Sequence, residues 1–184
     1  RSELRDISII YDGRTVCKGF SLSVQAGERI ALQGPNGCGK SSILKLLCGQ
    51  AIPHTGEVRR GSGLRISYVG QNAVQLCGSV TDYIRKKGID ESMFFTILTK
   101  LDVPKVQTER DLRALSDGQK KKVLLAASLC ERTHLHVWDE PMNYIDVISR
   151  IQIEELLLQF RPTILFVEHD RAFCERTATR IVRM

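Results

Sequence analysis

The sequence predicts an α/β fold with a mostly parallel sheet, an antiparallel β part at the N-terminus and an inserted helical subdomain at about 73–130. Three observations predict it. Strand-like apolar runs alternate with helical periodicities in the flanks of the chain, three strand-like runs follow one another before residue 34, and the stretch 79–112 breaks into short helix-like pieces. Ile7 to Tyr11, Phe20 to Val24 and Arg29 to Gln33 are short apolar runs separated by Gly13, Gly19 and the Ala26-Gly27 turn, and read as three strands. The third runs into a glycine-rich loop. Ser41 to Cys48 follows with apolar residues at 43, 44, 46 and 47, a helical spacing that Gly49 stops. Strands are expected next at Glu57 to Arg59 and Leu64 to Val69. Ser79 and Asp90 are N-caps for the short pieces, and Ser116 caps a long helix reaching Cys130. A strand at Leu135 to Trp138, a helix from Val147 to Gln159, a strand at Thr163 to Val167, a short helix after Asp170 and a strand at Ile181 to Arg183 complete the pattern.

The 184 residues correspond to one domain at about 100–200 residues per domain. Charged residues make up 26% and apolar residues 42%, the composition of a globular chain and not of a disordered or fibrous one. The longest apolar stretch, Val123 to Cys130, is interrupted by Ser128 and is too short to cross a bilayer. Arg1 to Asp6 carries charge where a signal peptide needs an apolar run, and no initiating Met is present, so a domain of a longer chain is expected. Cysteines 17, 38, 48, 77, 130 and 174 show neither C-x-x-C spacing nor a histidine at zinc-site distance, which predicts free thiols in a reducing, cytoplasmic setting. The net charge of +6 favours a polyanionic partner without being a nucleic-acid signature.

Gly34-Pro35-Asn36-Gly37-Cys38-Gly39-Lys40-Ser41 fits G-x-x-x-x-G-K-[ST], directly after a predicted strand and opening a predicted helix. Its glycines allow backbone N–H groups to turn onto phosphate oxygens, and the helix N-terminus adds a favourable dipole. Gly34, Asn36, Gly37, Cys38, Gly39, Lys40, Ser41 and Ser42 are therefore candidate nucleotide ligands. Lys40 would neutralise the β and γ phosphates, and the Ser41 hydroxyl would bind Mg²⁺. Leu135-His136-Val137-Trp138-Asp139-Glu140 is an apolar strand ending in two carboxylates, at the sheet edge where α/β proteins bind ligands. One acid there can serve a metal and the next can deprotonate water.

Leu115-Ser116-Asp117-Gly118-Gln119 discriminates among nucleotide-binding families, because it resembles the LSGGQ signature of ABC ATPases. On these three motifs the whole chain looks like an ABC nucleotide-binding domain, which implies a P-loop ABC-type ATPase core with ATP and Mg²⁺ as ligands. The resemblance assigns further residues. Tyr11 would stack on adenine, Gln71 would reach Mg²⁺ and the attacking water, Asp146 ends the D-loop, and His169 would steady the γ-phosphate. Ser41, Gln71 and Asp139 would serve Mg²⁺, with Glu140, His169 and Gln71 in catalysis. It also implies a head-to-tail pair, in which Ser116, Asp117, Gly118 and Gln119 of one domain face the nucleotide held by its sister. Asp117 departs from the usual glycine. It stands near a γ-phosphate yet in the first turn of a helix, where the dipole favours a carboxylate, so a modest change in affinity is expected.

The segments Gln119 to Ala126 and Trp138 to Asp146 are similar, more narrowly, to the C-terminal nucleotide-binding domain of ABC-F proteins of the antibiotic-resistance, ribosomal-protection type. That resemblance implies two such domains in one chain, no membrane domain, and the ribosome as partner. The basic runs Arg59-Arg60, Arg85-Lys86-Lys87 and Lys120 to Lys122 are candidate contacts to rRNA phosphates, with a solvated face as the competing reading. The alternative function is the nucleotide-binding domain of a membrane ABC transporter, which shares every motif; the short helical insert between Gln71 and Leu115 speaks against it.

Overall fold

The computed structural model describes residues 2–72 and 76–184; the expected start of the helical subdomain at about residue 73 lies outside them. β1 (Ser2–Tyr11) and β2 (Arg14–Val24) form an antiparallel hairpin joined by Asp12-Gly13, whose φ values of 48° and 76° suit a type I′ turn. β4 (His54–Arg60) pairs antiparallel with the other edge of β1. These strands are longer than the apolar runs that announced them, because one face of the sheet is open to solvent and carries polar residues. Gly19 does not separate two strands as expected. With φ 62° it lies inside β2, opposite a register shift in β1, and its N–H donates to Ser8 Oγ at 3.0 Å: a bulge bends the ribbon without ending it.

The second sheet contains β3 (Arg29–Gln33), β5 (Ile66–Val69), β6 (Leu135–Asp139), β7 (Ile164–Val167) and β8 (Arg180–Arg183) in the order β5-β6-β7-β3-β8, every pair parallel. β6 and β7 are buried along their whole length, as parallel strands covered on both faces must be. This order brings the C-terminal ends of β5, β6, β7 and β3 side by side, so the loops after Val69, Asp139, Val167 and Gln33 open on one edge.

α1 (Lys40–Leu47) follows β3, and Gly49 at φ 90° stops it: the N–H groups of Gly49 and Gln50 return to the Leu46 and Lys45 carbonyls. Between β5 and β6 lie α2 (Val80–Lys86), α3 (Glu91–Lys100), two 3-10 turns and α4 (Asp117–Cys130), packed through Phe94, Leu98, Leu112 and Val123. The expected caps Ser79, Asp90 and Ser116 all accept backbone N–H groups. α5 (Val147–Phe160) and α6 (Arg171–Thr177) complete the chain, capped by Asp146 and Asp170.

A buried polar knot joins α4 to the sheet. Ser128 Oγ accepts from Ser67 Oγ at 2.8 Å and from Trp138 Nε1 at 2.9 Å, which leaves its own hydrogen for His136 Nδ1 at 3.1 Å. His136 is therefore neutral, with its Nε2–H toward Thr133 Oγ1, and burial holds its pKa below the usual value. A depressed histidine pKa means that the unfolded chain takes up the proton first. Stability should fall as pH drops through the unfolded value of about 6.5. Urea unfolding at pH 7.5 and 5.0 checks this: wild type should lose more between the two than His136→Gln, and equal losses would sink the assignment.

Candidate nucleotide-binding site

The loop after β3 is held from beneath by β2. A Cβ added at Gly39, φ 92°, would meet Val16 Cγ1 at 3.0 Å and Cys17 Cβ at 3.3 Å, so both space and backbone conformation ask for glycine there. Lys40 is 7% exposed, and its ammonium donates to the Gly34 and Pro35 carbonyls at 2.8 and 2.7 Å and to Cys38 Sγ at 3.9 Å. No carboxylate is among these partners. A cavity of about 520 Å³ opens beside it, lined by the predicted Asn36, Gly37, Gly39, Lys40, Ser41 and Ser42, and across the gap by Gln71, Glu140 and His169. Gly34 faces a neighbouring cavity that shares Lys40 and His169, and Cys38 touches the ammonium from the loop side. Tyr11, 37% exposed at the end of β1, stands over the start of α1 with its hydroxyl 3.1 Å from Ser42 Oγ.

Opposite the loop, one amide gathers the acids. Gln71 Nε2 lies 3.2 Å from Ser41 Oγ, 3.5 Å from Asp139 Oδ1 and 3.2 Å from Glu140 Oε1. Asp139 is buried, which pushes its carboxyl pKa up; the Ser41 hydrogen bond opposes that shift and the neighbouring Glu140 adds to it. Glu140 leaves the strand with φ 51°, its N–H on the Val167 carbonyl at 2.9 Å, and this turn swings the carboxylate into the cavity. Its Oε1 also lies 3.2 Å from His169 Nε2, and its Oε2 accepts Asn143 Nδ2 at 2.6 Å.

The residues expected to act on a sister domain lie outside this cavity. Ser116 and Gln119 form a reciprocal capping box at the start of α4, with N–H to side-chain distances of 3.0 and 3.2 Å, and exposed Asp117 sits in the first turn. A Cβ on Gly118 would fall 2.7 Å from the Tyr144 carbonyl oxygen. Gly118→Ala must therefore displace the D-loop, at an expected cost of about 1–3 kcal/mol. Urea unfolding measures it, and a wild-type midpoint would mean that the two segments are free to part. Asp146 caps α5 through Ser149 N and Oγ, both at 2.9 Å, and pairs with Lys122 Nζ at 2.7 Å. Lys122 first, and then the Ser149 N–H, hold its pKa well below the usual carboxylate range.

A family described as ABC transporter matches residues 17–143. The chain belongs to this family, as one of its nucleotide-binding domains. It is 36% identical over 186 residues to "ATP-binding protein Uup-like" of Haemophilus influenzae, a match covering 96% of the chain and 40% of that protein. It is 33% identical over 186 residues to "ATP-binding protein Uup" of Escherichia coli, covering 96% of the chain and 29% of that protein. The chain thus spans two fifths or less of these relatives. Its fold matches the solved "Structure of ATP binding subunit of ABC transporter" with TM-score 0.84 at 22% identity, over all of this chain and 85% of that one. It also matches the dimeric ABC transporter cassette MJ0796, again with TM-score 0.84, at 19% identity, over all of this chain and 94% of that one.

ABC domains bind ATP with Mg²⁺, and the groups present fit both. A nearly buried ammonium whose partners are carbonyls and a thiol suits a polyphosphate. Hydroxyl, carboxamide and carboxylate groups converging at Ser41, Gln71 and Asp139 suit a hard cation. Among the described residues, no helix of the ABC domain is long and apolar enough to cross a membrane.

Two parts of the sequence reading change. Asn143, which lies in the Trp138 to Asp146 segment and is assigned no role by the sequence, holds the Glu140 carboxylate; its turn spacing, three residues on, is the available signal. The run Lys120 to Lys122 is no exposed basic face. Lys121 and Lys122 are 0% and 7% exposed, because residue 121 shares a helical face with Leu125 and Ser128 in a helix buried along most of its length. Of the other runs, Arg60 caps the Leu46 and Leu47 carbonyls of α1, Arg59 pairs with Glu57, and Lys87 pairs with Glu131. Both of those runs stay exposed, so only Lys120 to Lys122 is withdrawn as a basic face.

Proposed function

We propose that this domain hydrolyses ATP as one half of a head-to-tail pair, within a longer cytoplasmic chain of ABC-F type that works on the ribosome in antibiotic protection. The observation that carries the hydrolytic reading is the cluster around Gln71, whose amide reaches Ser41, Asp139 and Glu140 while His169 meets the same Glu140 oxygen. In this reading Lys40 and the loop N–H groups bind the β and γ phosphates, and Tyr11 offers its ring to adenine. Ser41, Gln71 and Asp139 would hold Mg²⁺, which when bound neutralises charge on the phosphate oxygens. Glu140 accepts the proton of the attacking water, Asn143 keeps its carboxylate turned inward, and His169 donates to the γ-phosphate.

Support for a sister domain comes from the face around the signature. Ser116 and Asp117 are exposed at a helix N-terminus that would receive the partner's phosphate, and beside them Tyr144, Val147 and Ile148 are 61, 72 and 71% exposed. The ribosome rests on the resemblance of the signature helix and D-loop segments to ABC-F domains; the relatives' names speak for ATP binding alone. Co-sedimentation of the full-length chain with ribosomes tests it. Pelleting that needs ATP and strengthens in Glu140→Gln is expected. Absence from the pellet under both conditions, with a membrane-spanning partner recovered instead, would favour the transporter reading.

A further inference from the structure

Lys121 has no part in the mechanism above. It lies in the second turn of α4 with 0% exposure, and its ammonium donates to two consecutive carbonyls, Gly70 at 2.7 Å and Gln71 at 3.2 Å. Burial brings its pKa down to about 8, against the pull of Asp139, Glu168 and Glu140. A buried charge of this kind is expensive, and an apolar chain of equal length would pack the same space. Core filling therefore does not explain a lysine here, and the two carbonyls do. Gly70 and Gln71 come after β5 has ended at Val69, outside any helix or strand, yet the Gln71 side chain must hold three groups of the site together. The ammonium fixes the backbone from which that side chain reaches. Lys121 is also five residues beyond Ser116, about 7.5 Å along the same helix at 1.5 Å per residue.

We propose that Lys121 is a positioning residue: by clamping the Gly70 and Gln71 carbonyls it holds the Gln71 amide on Ser41, Asp139 and Glu140, and ties that amide to the helix whose N-terminus carries the signature. The proposal rests on the hydrolytic reading of the Glu140 site. In it, a movement of α4 on engaging a sister domain is passed to the same domain's own hydrolytic cluster through one side chain.

The test is a double-mutant cycle on ATP hydrolysis by the full-length chain, with Lys121→Met and Gln71→Ala. Lys121→Met should lower kcat roughly 10- to 100-fold, the scale of a displaced positioning group, and change KM for ATP by less than about threefold. In the Gln71→Ala background it should have no further effect. A wild-type kcat in Lys121→Met, or an undiminished additional loss in the Gln71→Ala background, overturns the proposal; the second result would mark general loosening. Should the Met variant fail to fold, Lys121→Gln enters the same cycle with the same outcomes. If wild type itself does not hydrolyse ATP, the hydrolytic reading falls, and amide hydrogen exchange decides the clamp alone. Faster exchange at 70–72 with α4 unchanged upholds the clamp, and unchanged exchange at 70–72 removes it.

Discussion

Glu140→Gln lowers steady-state ATP hydrolysis by the full-length chain by on the order of 10²-fold or more, the scale of losing a general base, and leaves ATP binding in place. The carboxylate is held by three donors, from Gln71, Asn143 and His169, and faces the cavity beside the phosphate loop. The amide keeps the size and one acceptor oxygen, and Asn143 can present its own oxygen to the new NH₂ group by a flip of its carboxamide. What is lost is the ability to take a proton from water. The left-handed backbone at Glu140 does not depend on the charge, so unfolding should shift little. Phosphate release under saturating ATP measures the effect, and a separate fluorescent-nucleotide titration shows whether binding survives. Turnover within a few-fold of wild type would take the base role away from this residue.

Lys40→Ala acts earlier, on binding. Among the described residues, the ammonium is the one lysine or arginine head group lining the cavity, and its hydrogen-bond partners are carbonyl and thiol groups. Charge-assisted hydrogen bonds of about 1.5–3 kcal/mol each put the expected loss of ATP affinity at roughly 10- to 100-fold for a single contact. The fall in kcat/KM should be larger, because the same charge meets the γ-phosphate as it departs. Lys40→Arg should not rescue, since a planar guanidinium does not fit where an ammonium sits between the Gly34 and Pro35 carbonyls. Unchanged ATP affinity in Lys40→Ala would remove the phosphate-binding role from the loop.

Motifs whose chemistry is local were legible in the sequence. The phosphate loop, the strand ending in Asp139-Glu140 and the caps at Ser79, Asp90 and Ser116 each depend on a few neighbouring residues, and the structure places them as read. The inner strands of the parallel sheet, β3, β6 and β7, were also legible, because burial on both faces leaves a largely apolar run. β1 and β2 were drawn too short, since a half-exposed sheet hides its length in polar residues and Gly19 imitates a break. Burial across the fold was the largest gap. Lys121 and Lys122 look like a solvated charge run until the helices around α4 are in place, and Asn143 is unremarkable until the turn brings it onto Glu140. Sequence spacing ranks residues by distance along the chain, whereas Lys121 and Lys122 act across it, and Asn143, though only three residues from Glu140, needs the turn's geometry to show its role.

The most direct measurement is the fate of labelled ATP bound to the full-length wild-type chain in a single turnover, with and without Mg²⁺. Hydrolysis at the Gln71-Glu140 cluster predicts conversion to ADP and phosphate with Mg²⁺ and unchanged ATP without it. Nucleotide recovered as intact ATP in both cases, from protein that had bound it, would contradict the account and leave an ATP-gated clamp without chemistry.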